Sequence, residues 1–100
     1  MNNIIDPPVR RTVLVCQHQA CRKAGARQVF ALFQTSPLPD VAIVPVQCLG
    51  ECGNGPMVLV LPERIWYNRV NPDEVPAIIQ RHLQQGTPIE PMLYPKFHSH

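Results

Sequence analysis

Four cysteines, arranged in two pairs, are the residues of this chain whose types and spacing can do chemistry. The first pair is Cys16-x₄-Cys21, the second is Cys48-x₃-Cys52, and no other cysteine occurs in the 100 residues. Four thiolates can hold a tetrahedral zinc ion or a small iron–sulfur cluster, whereas oxidised thiols can form two disulfides. The choice among these three chemistries decides which functions the sequence can have.

Disulfides are the least favoured of the three. The chain starts Met-Asn-Asn-Ile-Ile-Asp-Pro-Pro, which lacks the apolar segment and the cleavage site of a signal peptide. No apolar run approaches the length that spans a membrane. We therefore expect a cytoplasmic protein with no membrane partner. Lasting disulfides are rare in that compartment, where clustered cysteines more often bind metal or act catalytically.

The spacing of the cysteines argues against several known sites. Neither pair is Cys-x-x-Cys, so a thioredoxin-type redox pair is not expected. A plant-type ferredoxin would have a third cysteine at Ala24, and a Rieske centre needs two histidine ligands, whereas only His18 lies within a pair. Structural zinc usually uses at least one short Cys-x₂-Cys, although wider spacings occur. The residues thus favour a Cys₄ [2Fe–2S] site and leave zinc open.

Three segments resemble the thioredoxin-like [2Fe–2S] ferredoxins. They read Cys-Gln-His-Gln-Ala-Cys-Arg-Lys-Ala-Gly at 16–25, Cys-Leu-Gly-Glu-Cys-Gly-Asn-Gly-Pro at 48–56, and Ile-Trp-Tyr at 65–67. The resemblance covers roughly residues 11–86 in matching order. Its most specific part is Cys-x₃-Cys-x₂-Gly-Pro after an apolar strand.

The resemblance implies a function and a site. Cys16, Cys21, Cys48 and Cys52 would ligate one [2Fe–2S] cluster per chain, and the protein would work as a one-electron carrier. The expected partners are redox proteins, a flavoprotein or another electron donor or acceptor, and a homodimer is compatible with the family. We read no catalytic base, nucleophile or substrate pocket, so we do not expect an enzyme. We expect no nucleic-acid partner either.

Three alternatives stay open at this point. The same fold and cysteine pattern occur in the small subunit of bacterial NADH dehydrogenases and NAD-reducing hydrogenases, so the chain could be a detachable subunit of an NAD-linked oxidoreductase. It could also be a non-redox zinc-binding module. The third alternative is an iron–sulfur regulator or carrier, which would pass its cluster to an acceptor.

The order of elements predicts an α/β protein, β-α-β-β-β-α, and the resemblance implies a thioredoxin-like fold with a central mixed sheet, two helices and a C-terminal tail. Pro45 should confine its strand to a sheet edge or a bulge. Asn71 should cap the second helix, Gly86 should end it, and Pro76 should make its first turn irregular. The predicted strands are 11–15, 41–46, 57–61 and 65–70, the first helix is 22–34, and the buried stripe of the second helix is Val75, Ile78, Ile79 and Leu83.

Three regions divide the chain. Residues 1–10 form an N-terminal arm, 11–86 the thioredoxin-like [2Fe–2S] ferredoxin domain, and 87–100 a proline-rich tail. The tail is too apolar for pure disorder, so we expect it to lie across its own domain or a partner. A hydrophobic content of 45% is enough for one modest core.

Overall fold

The computed structural model describes residues 10–18, 25–35, 38, 40–47 and 55–98. Cys16 lies within these ranges. Cys21, Cys48 and Cys52 lie outside them. In the described part of the chain, no helix is long and apolar enough to cross a membrane.

A four-stranded mixed sheet forms the centre of the fold. Its strands are β1 (Arg11–Cys16), β2 (Val41–Val46), β3 (Val58–Leu61) and β4 (Ile65–Tyr67). They lie in the order β2-β1-β3-β4, with β1 parallel to β2 and antiparallel to β3, and β4 antiparallel to β3. The predicted mixed sheet is confirmed.

Strand β2 lies at one edge of this sheet, as its proline predicted. Pro45 is opposite Val15 in the parallel pairing, and its side chain is exposed. Proline has no N–H to donate, so a central strand would lose a ladder hydrogen bond at this position. The edge position needs no such bond on the outer side.

Helix α1 (Ala26–Thr35) follows β1 and contacts β1 and β2. It buries Ala26, Val29 and Phe33, which lie three to four residues apart and therefore share one helix face. The prediction of a continuous helix from residue 22 is wrong. Gly25 has φ +106, a left-handed conformation that a right-handed helix cannot contain. Residues 22–24 lie outside the described ranges.

Helix α2 (72–84) is irregular, as Pro76 predicted. It starts with the 3₁₀ turn Pro72–Glu74, continues through the α-helical turn Val75–Ala77 and ends with the π-type segment Ile78–Gln84. At its start, the N–H of Asn71 donates to Oε1 of Glu74 at 2.9 Å, and the N–H of Glu74 donates back to the Asn71 carbonyl at 2.9 Å. These two bonds satisfy backbone groups that a helix end would leave unpaired.

Gly86 ends helix α2 in the predicted place. Its φ of +80 lies in the left-handed region, where glycine has no Cβ penalty. Its N–H donates to the carbonyl of His82 at 2.9 Å, and the N–H of Thr87 donates to the carbonyl of Arg81 at 2.9 Å. The last carbonyls of the helix are thus satisfied before the tail begins.

The main core lies between one face of the sheet and the two helices, which contact each other. Val13 pairs with Val60 and Val15 with Val58 across β1 and β3, so the four side chains share a face. All four are fully buried. Each such side chain contributes roughly 1.5–3 kcal/mol through removal of its apolar surface from water. The helices add Val29, Phe33, Val75, Ile78, Ile79 and Leu83.

Strand β4 is shorter than its predicted range 65–70. It stops at Tyr67, and Arg69 has φ +51, a conformation outside the strand region. In the preceding hairpin Arg64 also has a positive φ, +61. The Gly55–Pro56 and Leu61–Pro62 peptide bonds are cis.

The C-terminal tail packs on the sheet. Leu93 forms a β-bridge with Tyr67, so the tail runs beside β4 at the sheet edge opposite β2. Ile89 and Tyr94 are buried. The division of the chain after residues 10 and 86 stays a prediction.

Candidate metal centre

Cys16 occupies the last position of β1 and is completely buried. It is a free thiol, and its Sγ lies 3.8 Å from the carbonyl oxygen of Gln47. Gln47 directly precedes Cys48 in the sequence. The structure therefore places Gln47, the residue before the second cysteine pair, next to Cys16.

The other end of the second cysteine segment also returns to Cys16. The backbone N–H of Cys16 donates to the carbonyl of Met57 at 3.1 Å. Met57 follows Gly55 and Pro56, the first described residues after 48–54. Both ends of the segment that contains Cys48 and Cys52 are thus hydrogen-bonded neighbours of Cys16.

The segment that contains Cys21 is bounded in the same way. Residues 19–24 lie between His18 and Gly25 in the sequence. The side-chain amide of Gln17 donates to the carbonyl of Ala26 at 3.1 Å, and the N–H of Gln17 donates to the carbonyl of Val46 at 2.7 Å. These two hydrogen bonds hold Gln17, which precedes residues 19–24, next to Ala26, which follows them, and next to Val46 at the end of β2.

The described side chains that cluster with Cys16 are mostly apolar. It shares a small buried cluster with Ala26, Met57 and Tyr94, and Trp66 packs against this cluster. Within the described residues, no group of three or more His, Cys, Asp or Glu could hold a metal ion. Of the four predicted ligands, Cys16 lies among the described residues and the other three lie outside them. The ligand set therefore stays a prediction.

A second feature, which the sequence analysis missed, is a polar network at the other end of β1. Arg11 donates from Nε to Oε2 of Glu63 at 2.8 Å, and Glu63 Oε2 lies 3.4 Å from Nε2 of the fully buried His82. The other ring nitrogen of His82, Nδ1, lies 2.8 Å from the hydroxyl of Tyr67. The hydroxyl of Tyr67 accepts the N–H of Ile89 at 3.1 Å.

Burial sets the direction of the pKa shifts of His82 and Tyr67, whereas Arg11 sets that of Glu63. Burial lowers the pKa of His82 below 6.5, although the nearby Glu63 carboxylate acts in the opposite direction. Burial likewise raises the pKa of the Tyr67 phenol above 10.0. For Glu63 burial would raise the pKa, but the hydrogen bond and charge of Arg11 prevail and hold it below 4.5. At neutral pH the network therefore contains an ion pair and a neutral histidine.

One sequence signal could have indicated this network. His82 lies seven residues after Val75 and four after Ile78, which is the spacing of the buried stripe of α2. A histidine on such a stripe needs polar partners in the core. The sequence does not show that Tyr67 and Glu63, from a hairpin 15 and 19 residues earlier, are those partners.

The fold and the site together define a class of protein. A mixed four-stranded sheet with two helices and a buried cysteine at the end of its first strand is a thioredoxin-like scaffold. The model of the family described as thioredoxin-like [2Fe-2S] ferredoxin matches residues 4–83.

Relatives and solved structures support the same family. The chain is 36% identical over 83 residues to a 2Fe-2S ferredoxin of Aquifex aeolicus. The alignment covers 77% of this chain and 75% of that protein. It is 38% identical over 47 residues to a 2Fe-2S ferredoxin of Clostridium pasteurianum, which covers 47% of this chain and 46% of that protein. The crystal structure of the wild-type thioredoxin-like [2Fe-2S] ferredoxin from Aquifex aeolicus superimposes with a TM-score of 0.76 at 31% identity, over 87% of this chain and 97% of that one.

The chain belongs to the thioredoxin-like [2Fe–2S] ferredoxin family. It is thus an electron carrier whose cofactor is a [2Fe–2S] cluster. The resemblance noted from the three sequence segments is confirmed.

Proposed function

We propose that Cys16, Cys21, Cys48 and Cys52 hold the [2Fe–2S] cluster and that the protein passes one electron at a time between redox proteins. The observation that carries this assignment is the position of Cys16. The ends of both segments that contain the other three cysteines are hydrogen-bonded around it.

The donor set fits this cofactor. Thiolate sulfur is the usual protein ligand of iron–sulfur clusters, and a [2Fe–2S] cluster needs four such ligands. When bound, the cluster accepts and releases a single electron. The residues around Cys16 keep its thiolate in an apolar environment, and burial is one of the factors by which a protein sets a cluster's potential.

We propose that this electron transfer is not accompanied by catalysis in the chain itself. Among the described residues, His82 is the histidine that is fully buried, and its ring nitrogens face Tyr67 and Glu63. Glu63 is bound by Arg11, the first residue of β1, whereas Cys16 is the last. Six residues of strand separate the two ends by roughly 17 Å, too far for direct contact with the site.

Further parts of this proposal concern the setting of the carrier. The partners we propose are flavoproteins or other redox proteins, the assembly is a homodimer, and the location is the cytoplasm, where thiols stay reduced and available for a cluster. Analytical ultracentrifugation of the holo-protein tests the dimer, and a monomer at all concentrations would refute it. Fractionation of cells tests the location.

The ligand assignment is tested by replacing each cysteine with alanine in turn. The wild-type protein should contain two irons and two sulfides per chain and give an EPR signal only after one-electron reduction. Each cysteine variant should lose the cluster or hold it weakly, because one iron loses one of its two thiolate ligands. His18→Ala is the matched control, since it lies beside Cys16 in the sequence, is exposed and should keep the visible spectrum.

Two results would refute the assignment. If His18→Ala loses the cluster while one of the cysteine variants keeps it, His18 is a ligand and the four-cysteine set is wrong. Stoichiometric zinc without sulfide, in protein prepared with ample iron, would refute iron–sulfur binding altogether.

A further inference from the structure

The tail contributes a side chain to the surroundings of Cys16. Tyr94 is 7% exposed and lies in the same small apolar cluster as Cys16, Ala26 and Met57. The family model ends at residue 83, so the tail from residue 87 lies beyond the matched region. A residue that is not part of the matched family region thus belongs to the same buried cluster as the proposed ligand Cys16.

The alternation of side chains along the strands explains why Cys16 lies on the face of the sheet where its cluster with Tyr94 forms. Leu14 pairs with Leu59, and Leu59 pairs with Trp66, so these three side chains share one face of the sheet. Cys16 lies two residues after Leu14 and therefore belongs to the same face. This face is opposite to the one that carries the main core.

Backbone hydrogen bonds hold the tail at this face. The N–H of Tyr94 donates to the carbonyl of Trp66 at 2.8 Å, and the N–H of Trp66 donates to Nε2 of His98 at 2.9 Å. Both backbone groups of Trp66 on this edge of β4 are therefore occupied by the tail. The position of Tyr94 relative to the sheet is fixed at two points.

Aromatic contacts cover the side of Tyr94 that faces solvent. The rings of Trp66 and Phe97 are 4.9 Å apart, and those of Tyr94 and Phe97 are 5.4 Å apart in an edge-to-face arrangement. Phe97 is 45% exposed, so it is the outer member of this group and Tyr94 the inner one. Water that approaches Cys16 from this side meets Phe97 and Trp66 before it meets Tyr94.

We propose that Tyr94 is a positioning residue that excludes water from Cys16 and thereby lowers the midpoint potential of the cluster. This inference rests on the proposed role of Cys16 as a ligand. Reduction adds one negative charge to the site, and a dry, apolar environment disfavours added charge more than a hydrated one does. The tail therefore favours the oxidised form.

The test compares the midpoint potentials of three holo-protein variants by redox titration followed by visible absorption. Tyr94→Ala should shift the potential to a more positive value, because water gains access to the side of Cys16. Tyr94→Phe keeps the ring and should shift the potential less than Tyr94→Ala does. Ile89→Ala is the matched control, since Ile89 is a tail residue with the same 7% exposure but packs in the main core.

A second measurement detects the water directly. Pulsed EPR of the reduced cluster in D₂O should show stronger deuterium coupling in Tyr94→Ala than in the wild type and in Ile89→Ala. If Tyr94→Ala does not fold, Tyr94→Gln takes its place, since a polar side chain of similar length also brings hydrogen-bonding groups to Cys16. The same positive shift is expected for it.

Three outcomes would overturn the proposal. The first is an unchanged potential in both Tyr94→Ala and Tyr94→Gln. The second is a shift in Tyr94→Phe as large as that in Tyr94→Ala, and the third is a shift of that size in Ile89→Ala. A wrong ligand assignment would give a different result. In that case Cys16→Ala would keep an intact cluster spectrum, whatever residue stands at position 94.

Discussion

The hydroxyl of Tyr67 lies 2.8 Å from Nδ1 of His82, and both side chains are fully buried. The hydroxyl oxygen already accepts the N–H of Ile89 at 3.1 Å. The ionised carboxylate of Glu63 can only accept, and it lies 3.4 Å from Nε2, so we assign the proton of the neutral histidine to Nε2. With this tautomer the hydroxyl of Tyr67 donates to Nδ1. One phenol thus connects β4, helix α2 and the tail.

Removal of this hydroxyl should destabilise the protein. In Tyr67→Phe the N–H of Ile89 and Nδ1 of His82 lose their partner in a buried place, which should cost about 2 kcal/mol in the free energy of unfolding. Urea unfolding of the holo-protein measures this cost. In the background of His82→Leu, one of the two orphaned groups no longer exists, so the cost of Tyr67→Phe should be smaller. Equal costs in both backgrounds would contradict the coupling.

The stability of the fold should decrease as the pH falls below neutrality. Burial lowers the pKa of His82 below its ordinary value of 6.5, so the unfolded chain takes up a proton before the folded one does. The stabilisation is fully present above pH 6.5 and is lost as the pH falls through the folded pKa. Glu63, whose pKa is below 4.5, stays ionised in the upper part of this range, so Glu63 does not cause the loss of stability there.

The histidine variant His82→Asn tests this pH dependence. Its amide can accept from Tyr67 but does not titrate, so its free energy of unfolding should change less between about pH 7 and pH 5.5 than that of the wild type. An unchanged slope in His82→Asn would show that other groups cause the dependence.

Arg64→Gly should stabilise the hairpin between β3 and β4. Arg64 has φ +61, where a side chain with a Cβ costs roughly 1–2 kcal/mol, whereas glycine adopts this conformation freely. The greater freedom of glycine in the unfolded chain removes part of this gain, which leaves roughly 0.5–1 kcal/mol. The measurement is the thermal midpoint of the holo-protein.

A second arginine supplies the control for this substitution. Arg81 is exposed like Arg64 but lies within helix α2. Arg81→Gly should therefore destabilise by about 1 kcal/mol. Stabilisation by both glycines, or by neither, would show that the positive φ of Arg64 is not the cause.

His98→Ala should loosen the tail. The N–H of Trp66 would lose its acceptor, so its amide hydrogen should exchange with solvent several times faster, as measured by NMR hydrogen exchange. Glu90→Ala is a suitable control, because the Glu90 side chain is exposed and the same amide should keep its protection. Unchanged exchange in His98→Ala would mean that this hydrogen bond does not hold the tail.

Local patterns accounted for most of the fold. The apolar runs of β1, β2 and β3, the proline of β2 and the Asn71-Pro72 start of α2 were all sufficient, because each depends on residues close in sequence. The predicted start of α1 was wrong for a local reason too. A stripe of apolar residues does not show that Gly25 takes a left-handed conformation, so that the helix begins at Ala26, four residues later than predicted.

The sequence by itself determined the family and the chemistry, because both depend on residue types at fixed spacings, above all Cys16-x₄-Cys21 and Cys48-x₃-Cys52. Only the tertiary structure decided which distant residues meet. It places Tyr94 in the cluster of Cys16, 78 positions earlier in the chain, and connects Tyr67 with His82 in the core. The physical reason is that such contacts arise from sheet order and strand alternation, which bring together side chains that no local sequence pattern relates.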